Sequence, residues 1–339
     1  ATKNKVISVV VGIAITMLIQ SSSATDVMVI GFVNSGLMSL TQAIGVIMGA
    51  NIGTTITAQI TAFNLSAYAP MILFVGAVLY LFMKKDMVKY VGSIIMGFGM
   101  LFEGIALMKT AIAPLAETEA FINMISALEN PFLTVLFGIL FTALLQSSSS
   151  ATVIFQAFAV QGIISYETSV YLVIGAAIGS VTPNILASLT MSRNGKRTAL
   201  LNLLFNLIRA GILMILLFIF PQILTVIKSL SPGNVARQIA NTHTIFAIFA
   251  VLVMLPFSDK IVKLTQTLLP LKPEESRTGE ERKLLYMTQT GTIPSAVAVS
   301  QAHREITRMG EIASRNLKTA VKCFFEQDDS LAEVVEETE

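Results

Sequence analysis

Residues 20–25 read Gln-Ser-Ser-Ser-Ala-Thr, and Gln-Ser-Ser-Ser returns 126 positions later at residues 146–149. Both runs interrupt apolar sequence, and the flanking apolar stretches are 5–19 and 24–33 for the first run, then 131–145 and 151–163 for the second. A helix needs about 20 apolar residues to cross a bilayer, so each flank is too short to span one. A short apolar pair around a polar tip predicts a re-entrant helical hairpin, which enters and leaves the membrane on one side.

The similarity extends well beyond the serine runs. A shift of 126 residues aligns the chain with itself without a gap and pairs polar residues and glycines: Gly12 with Gly138, Thr16 with Thr142, Gly36 with Gly162, Ser39 with Ser165, Gly49 with Gly175 and Gly53 with Gly179. Chance similarity between apolar helices does not align such residues, so the sequence predicts two copies of one unit. We assign residues 1–126 to repeat 1, and residues 127–270 to repeat 2 with a final span.

The composition predicts an all-α integral membrane protein. The chain has 339 residues, of which 54% are hydrophobic and 13% are charged, whereas soluble domains carry about 25% charged residues. Full spans are expected in addition to the hairpins, about six in number, at 40–62, 68–83, 91–109, 167–190, 198–220 and 239–256. The lipid bilayer is therefore the expected surrounding of residues 1–270.

Several partners and cofactors are not expected. A net charge of +2 gives no reason to expect nucleic acid as a partner. One cysteine and two distant histidines argue against a disulfide framework and against a transition-metal site. We therefore expect no cofactor. The only metal site that we expect is one for Na⁺, as a coupling ion. Small-residue helix surfaces permit a homodimer.

Basic residues predict the orientation, because cytoplasmic loops carry an excess of lysine and arginine. Four basic segments all fall on one side when the chain is traced through the hairpins and spans: Lys3/Lys5, Lys84/Lys85/Lys89, Arg193/Lys196/Arg197 and Lys260/Lys263. This tracing turns the two repeats upside down relative to each other, and inverted repeats with broken helices are typical of secondary transporters. The predicted location is the inner (plasma) membrane, with a cytoplasmic C-terminal tail.

Residues 271–339 differ from the rest of the chain. Segment 272–282 is a polar linker, and 283–325 places apolar residues at helical spacing among many charges. This pattern predicts a soluble amphipathic helical region.

The serine runs are candidate anion sites. Hydroxyls and N–H groups at a helix start suit an oxyanion, and two tips that meet from opposite sides would surround one. The alternative is that the serines only hydrogen-bond the hairpin turns; their matched positions in both repeats favour the site. The candidate residues are Gln20, Ser21, Ser22, Ser23, Gln146, Ser147, Ser148 and Ser149.

A second matched pair of segments suits a cation. Residues 49–57 and 175–184 combine glycines, which loosen a helix, with hydroxyl and amide oxygens. These are hard ligands for Na⁺, and the candidates are Asn51, Thr54, Thr55, Ser180 and Thr182. Close packing of helices by small residues is the alternative. Apart from Lys5 at the outer end of the first, neither hairpin holds lysine or arginine, so a bound anion needs helix ends and co-bound cations. This favours Na⁺ symport and leaves proton coupling open.

Three charged residues lie within apolar runs, where charge is costly and often functional. Asp26 follows the first serine run and is a candidate for binding a cation or a proton. For Glu103 and Arg209 we favour a structural ion pair, although Arg209 is also placed to pair with Asp26. His243 is predicted to be an interfacial histidine with satisfied hydrogen bonds rather than a ligand.

These residues resemble the sodium/phosphate cotransporter family, the type II phosphate transporters and their bacterial relatives. The motifs are QSSSAT at Gln20–Thr25, GANIGTT at Gly49–Thr55, the second QSSS, and the segments 196–206 and 239–244, so the resemblance covers about residues 1–270. It implies that the paired QSSS runs bind phosphate, that neighbouring oxygens bind Na⁺, and that Asn51, Thr54 and Thr55 support the site. Residues 302–310 are similar to the start of a PhoU-type helical domain.

The sequence departs from the family pattern at several positions. The second GANIGTT carries Ala177 and Val181 instead of the amide and a hydroxyl, and Asp26 stands where members usually have threonine. Ser150 extends the second serine run. Members usually have a helix before the first hairpin, so we expect a segment upstream of Ala1.

Four functions compete at this point. The first is sodium-coupled import of inorganic phosphate, with no enzymatic activity. The second is phosphate export on the same scaffold, and the third is a sensor that binds phosphate and signals through its tail without transport. The fourth is an intramembrane serine hydrolase, which needs a general base beside a serine; Asp26 is its one candidate.

Overall fold

The computed structural model describes residues 4–63, 65–112, 114, 118, 128–270, 295–326, 331–332 and 334–335. These residues form helices and contain no strand. The chain divides into two compact units, residues 1–270 and residues 271–339. The predicted linker at 272–282 lies outside the described residues.

The first unit contains fourteen α-helices among its described residues. Those of the first half are α1 (Lys5–Ile19), α2 (Ser22–Asn34), α3 (Leu40–Gly53), α4 (Thr55–Thr61), α5 (Ala69–Phe82) and α6 (Asp86–Ile112). Those of the second half are α7 (Pro131–Leu145), α8 (Ser148–Val160), α9 (Tyr166–Gly179), α10 (Thr182–Ser188), α11 (Arg193–Ile219), α12 (Gln222–Ser229), α13 (Val235–Met254) and α14 (Ser258–Leu268).

The helix bounds follow the sequence repeat. Helices α1 and α7 both have 15 residues, α2 and α8 both have 13, α3 and α9 both have 14, and α4 and α10 both have 7. Each QSSS run forms the tight turn of a two-helix unit, between α1 and α2 or between α7 and α8. The repeat detected in the sequence is therefore also a repeat of helices.

Five helical segments of the described chain are long and apolar enough to cross a membrane: Leu40–Thr61, Asp86–Met108, Tyr166–Ser188, Arg193–Ile219 and Val235–Leu268. The sixth expected span, at 68–83, is a shorter apolar helix, Ser66–Phe82, whose α-helical part α5 has 14 residues. Pro70 lies in the first turn of α5, and Met83, which follows it, has an extended backbone that ends the helix.

The expected breaks in two spans are present. Helix α3 ends at Gly53 and α4 begins at Thr55, while α9 ends at Gly179 and α10 begins at Thr182. Pro183 lies in the first turn of α10 and cannot donate a backbone hydrogen bond. Each of these segments therefore consists of a longer helix followed by a half-helix.

Helix α11 joins two apolar cores. Leu201 and Phe205 pack with residues of repeat 1 such as Ile44 and Ile47, whereas Leu213 and Leu217 pack with residues of repeat 2 such as Phe155. All seven side chains are at least 98% buried. Because α11 belongs to both cores, the side chains between these two ends are held between the repeats.

Glycines let α1 approach α3 and α7 approach α9. A Cβ atom on Gly49 would lie 2.0 Å from the Val9 carbonyl oxygen, and one on Gly175 would lie 2.2 Å from that of Val135. These are backbone atoms, so the helices would have to separate to accept a side chain.

We therefore expect Gly49→Ala and Gly175→Ala each to destabilise the protein by at least about 2 kcal/mol through overpacking. Gly31→Ala is the matched control, because a Cβ atom there meets nothing within 4 Å. Thermal unfolding in detergent measures the difference, and equal melting temperatures for the three variants would contradict the close approach.

The second unit contains α15 (Ser295–Glu326), a 32-residue amphipathic helix. It lies within the region predicted to be helical, and Arg308 forms an ion pair with Glu305 along it. The similarity of this region to a PhoU-type domain stays a prediction.

Candidate functional site

The two glutamines of the QSSS runs make the hairpin turns. Gln20 and Gln146 have φ angles of 58° and 56°, and among the described residues they are the non-glycine positions with positive φ. Their backbone N–H groups donate to Thr16 and Thr142 at 2.8 and 2.7 Å. Each helix thus ends in a left-handed residue that turns the chain into the next helix.

The first serine of each run caps the helix that follows. Ser21 Oγ accepts a hydrogen bond from the Ala24 N–H, and Ser147 Oγ accepts one from the Ser150 N–H, both at 3.2 Å. For these two serines, a role in the turn is therefore what the geometry shows. An N-cap hydroxyl of this kind stabilises a helix by about 1 kcal/mol.

The second serine of each run faces a polar cavity between the repeats. We call this the central cavity, and it is lined by Ser22, Asp26, Asn51, Thr54, Ser148, Thr152, Val173, Ala176, Ala177, Ser180, Asn206, Arg209 and His243. Side chains from α2, α3, α8, α9, α11 and α13 meet there. Within the described conformation it has space for about one water molecule.

The lining of the central cavity follows the same 126-residue repeat. Four pairs of lining residues are 126 positions apart: Ser22 with Ser148, Asp26 with Thr152, Asn51 with Ala177 and Thr54 with Ser180. Both repeats therefore contribute the same positions to one site. The two halves differ chemically, because repeat 1 supplies a carboxylate and an amide where repeat 2 supplies a hydroxyl and a methyl group.

The structure separates the predicted site residues into two groups. Those that line the central cavity are Ser22, Ser148, Asp26, Asn51, Thr54 and Ser180. Those outside it are Gln20, Ser21, Ser23, Gln146, Ser147, Ser149, Thr55 and Thr182. Gln20 Oε1 instead accepts a hydrogen bond from Thr57 Oγ1 at 2.8 Å, and Thr55 Oγ1 donates to the Ile52 carbonyl at 2.8 Å.

Asp26 is 96% buried and held by two amides from repeat 2. Its Oδ2 accepts hydrogen bonds from Asn202 Nδ2 at 2.7 Å and from Asn184 Nδ2 at 3.0 Å. Its Oδ1 is buried and has no hydrogen-bond partner. A buried carboxylate oxygen without a partner is costly, so it is suited to receive a cation or a proton.

Arg209 faces the central cavity and does not form the predicted ion pair. Its Nη1 donates to Asn51 Oδ1 at 2.9 Å, and its Nε is buried without a partner. Neither Glu103 nor Asp26 makes a salt bridge with it in the described part of the chain. The prediction fails for Glu103 because this residue lies on α6, which packs against α5 and α8 rather than α11.

His243 also differs from its prediction. It is 94% buried, lines the central cavity, and its Nδ1 has no hydrogen-bond partner. It lies more than two turns into α13, so it is not at an interface of the helix with water. The prediction of a satisfied interfacial histidine is therefore wrong.

Two buried asparagines near the central cavity were not among the predicted site residues. Asn202 and Asn206 on α11 are both 99% buried, and Asn206 Nδ2 donates to Asn202 Oδ1 at 2.8 Å. With Arg209 they form a polar stripe at helical spacing in an apolar helix. That stripe is visible in the sequence and indicates a helix face directed toward a polar site.

The apolar spans make the chain an integral membrane protein. It belongs to the Na⁺/Pi-cotransporter family, whose sequence profile matches residues 1–110 and again 104–255. The family resemblance of the motifs is thus confirmed over the helices that build the central cavity.

Individual relatives agree with this assignment. The chain is 30% identical over 312 residues to the Escherichia coli protein YjbB, which is named for inorganic phosphate export. This alignment covers 92% of the chain and 56% of YjbB, so the chain spans about half the length of that relative. A protein of Bacillus subtilis, YqeW, is 28% identical over 77% of the chain and 84% of its own length.

A shorter match reaches animal proteins. The sodium-dependent phosphate transport protein 2A of Ovis aries is 49% identical over 59 residues, which is 17% of the chain and 9% of that protein. No solved structure matches the chain.

Proposed function

We propose that the chain carries inorganic phosphate across the plasma membrane in symport with Na⁺, by alternating access of the central cavity to the two sides. The observation that supports this most is the meeting of Ser22 and Ser148, from matched positions of the two QSSS runs, in one cavity with Arg209. The family and the names of the relatives point to the same substrate.

The lining of the central cavity suits phosphate. The hydroxyls of Ser22 and Ser148 are donors, and they lie in the first turns of α2 and α8, where backbone N–H groups have no partner within the helix. Arg209 adds a guanidinium, whose donors match phosphate oxygens in geometry. The cavity must widen to admit the ion. The described conformation would therefore be a closed one.

The charges explain why cations would accompany phosphate. Arg209 and Asp26 cancel formally, so phosphate would bring one to two uncompensated negative charges into a buried site. Uncompensated buried charge is strongly unfavourable. Asp26 Oδ1 and Thr54 Oγ1 are buried oxygens without partners, and they are the ligands that we assign to Na⁺.

The same proposal includes the membrane arrangement. Helices α1 and α7 have 15 residues each, and α2 and α8 have 13, which is short of a span and suits re-entrant hairpins. On the positive-inside rule, the basic loops support opposite orientations for the two repeats and a cytoplasmic tail. One hairpin would then open the central cavity to each side.

The test is uptake of labelled phosphate into proteoliposomes with and without an inward Na⁺ gradient. Ser22→Ala/Ser148→Ala removes two donors to a charged ligand, and we expect uptake to fall at least about tenfold. Ser23→Ala/Ser149→Ala is the matched control, because these neighbours lie outside the central cavity, and it should transport normally.

Other outcomes are informative. Equal loss in the two double variants would show that the serines only shape the turns. Phosphate binding without accumulation would support the sensor. Export is the second candidate direction, favoured by the name of the Escherichia coli relative, and net release of labelled phosphate from loaded right-side-out vesicles into a medium that contains Na⁺ distinguishes it.

A further inference from the structure

Two contacts between the repeats are related by the 126-residue shift. Helix α4 of repeat 1 packs on α8 of repeat 2, and α10 of repeat 2 packs on α2 of repeat 1. In each case a half-helix beyond a break meets the second helix of the opposite hairpin. The two contacts are equivalent in position, but they are chemically different.

Gln156 dominates the contact between α4 and α8. It is 97% buried, its Oε1 accepts a hydrogen bond from Thr61 Oγ1 at 2.8 Å, and its Nε2 donates to the carbonyls of Ala58 at 3.2 Å and Ala236 at 3.0 Å. One side chain therefore ties α8 to α4 and to the start of α13. Its repeat counterpart is the buried Ile30, which has no polar atom in its side chain.

A second cavity, of about 260 Å³, lies beside this contact. We call it the vestibule; its lining includes Thr61, Ser66, Val153, Gln156, Val160 and Asn234. Helix α8 lines both cavities, because Ser148 and Thr152 face the central cavity and Val153 and Gln156 face the vestibule. Gln156 is one helical turn beyond Thr152, at the boundary between the two cavities.

We propose that the vestibule is the entrance to the central cavity from one side of the membrane, and that Gln156 is the latch that closes it. This rests on the proposed function, since the ion that passes would be phosphate. Opening requires α8 to separate from α4 and α13, which breaks the three hydrogen bonds of Gln156. At the matched contact between α2 and α10, a hydrogen bond from Asn184 to Asp26 would keep the central cavity closed to the other side of the membrane.

The test is the accessibility of a cysteine in the central cavity. The chain has one cysteine, so Cys323→Ser gives a cysteine-free background, and Ala177→Cys introduces a small reporter in the lining. An anionic, membrane-impermeant methanethiosulfonate reagent is applied to intact cells and, separately, to inside-out vesicles. Gln156→Leu removes the amide at similar volume, and Thr61→Val removes its partner hydroxyl.

We expect Thr61→Val to raise the labelling rate by about fivefold, which corresponds to one net hydrogen bond, and Gln156→Leu, which removes three, to raise it further. The increase should occur from one side of the membrane only, and the double variant should label little faster than Gln156→Leu alone. Gln161→Ala is the matched control, because within the described residues its amide donates to the carbonyl of Ala157 in the preceding helix and joins no other helix, so labelling should not change.

Unchanged labelling in correctly folded Gln156→Leu protein would overturn the latch, and so would an equal increase from both sides. Folding is checked by size-exclusion chromatography of each variant. A third outcome separates the latch from the proposed function: the labelling rate rises, but phosphate does not suppress the labelling and the protein does not take up phosphate. This outcome would support the latch and overturn the proposed substrate.

Discussion

Replacing Arg209 with glutamine is expected to lower the affinity for phosphate by at least about 30-fold and to abolish uptake at low phosphate concentration. Arg209 is the guanidinium that lines the central cavity, and it is 96% buried. Removing one partner of a buried charged contact costs about 2–5 kcal/mol, and 1.4 kcal/mol is a factor of ten. Binding of labelled phosphate and initial uptake rates measure the effect.

The control must separate binding from stability. Arg197→Gln removes an equally buried guanidinium from the same helix, but Arg197 contacts Leu269 and Asn194 outside the central cavity. We expect it to lower thermal stability and to leave the phosphate affinity of the folded protein unchanged. Equal affinities for the two variants would place the anion elsewhere.

Replacing Asp26 with asparagine is expected to raise the Na⁺ concentration needed for half-maximal uptake at least about tenfold, which is about 1.4 kcal/mol. The side chain keeps its shape and an oxygen that can accept from Asn184 and Asn202, but it loses the charge that would hold the cation. The measurement is phosphate uptake over a series of Na⁺ concentrations at constant ionic strength.

Asp259→Asn is the comparison for this variant. It removes a carboxylate whose side chain is 58% exposed and which pairs with Lys5, so Na⁺ dependence should not change. If Asp26→Asn lowers the rate of phosphate uptake but leaves its Na⁺ dependence unchanged, Asp26 only holds the repeats together. Loss of Na⁺ dependence with retained pH-driven uptake would identify a proton site.

Much of the fold could be predicted because its signals are local. The QSSS turns lie between short apolar stretches, and the helix ends at Ile19 and Leu145 follow directly from that pattern. The repeat is also visible in the sequence, and its glycines have matched roles: Gly49 and Gly175 each lie against a backbone carbonyl, those of Val9 and Val135, which are themselves 126 positions apart. Whether 68–83 spans the membrane could not be predicted in this way, because this run is shorter than the roughly 20 residues of a usual span.

The central cavity was only partly predictable. Three consecutive serines look alike in sequence, and only the packing of α2 and α8 selects Ser22 and Ser148 while Ser21 and Ser147 become caps. The partner of Arg209 depends on which helices touch α11, which one sequence does not show. The burial of His243 could not be predicted either, because distance from the end of an apolar run does not show which helices pack around a residue.

The matched lining of the central cavity has a consequence for the charge that the site can carry. A site built by two identical copies of one unit in separate chains would present every residue twice, so any carboxylate or guanidinium would enter it in duplicate. A single chain that contains both copies is free of that restriction. Its matched positions differ, with Asp26 matched by Thr152 and Asn51 by Ala177, so the site has two equal halves in its backbone but a single negative side chain.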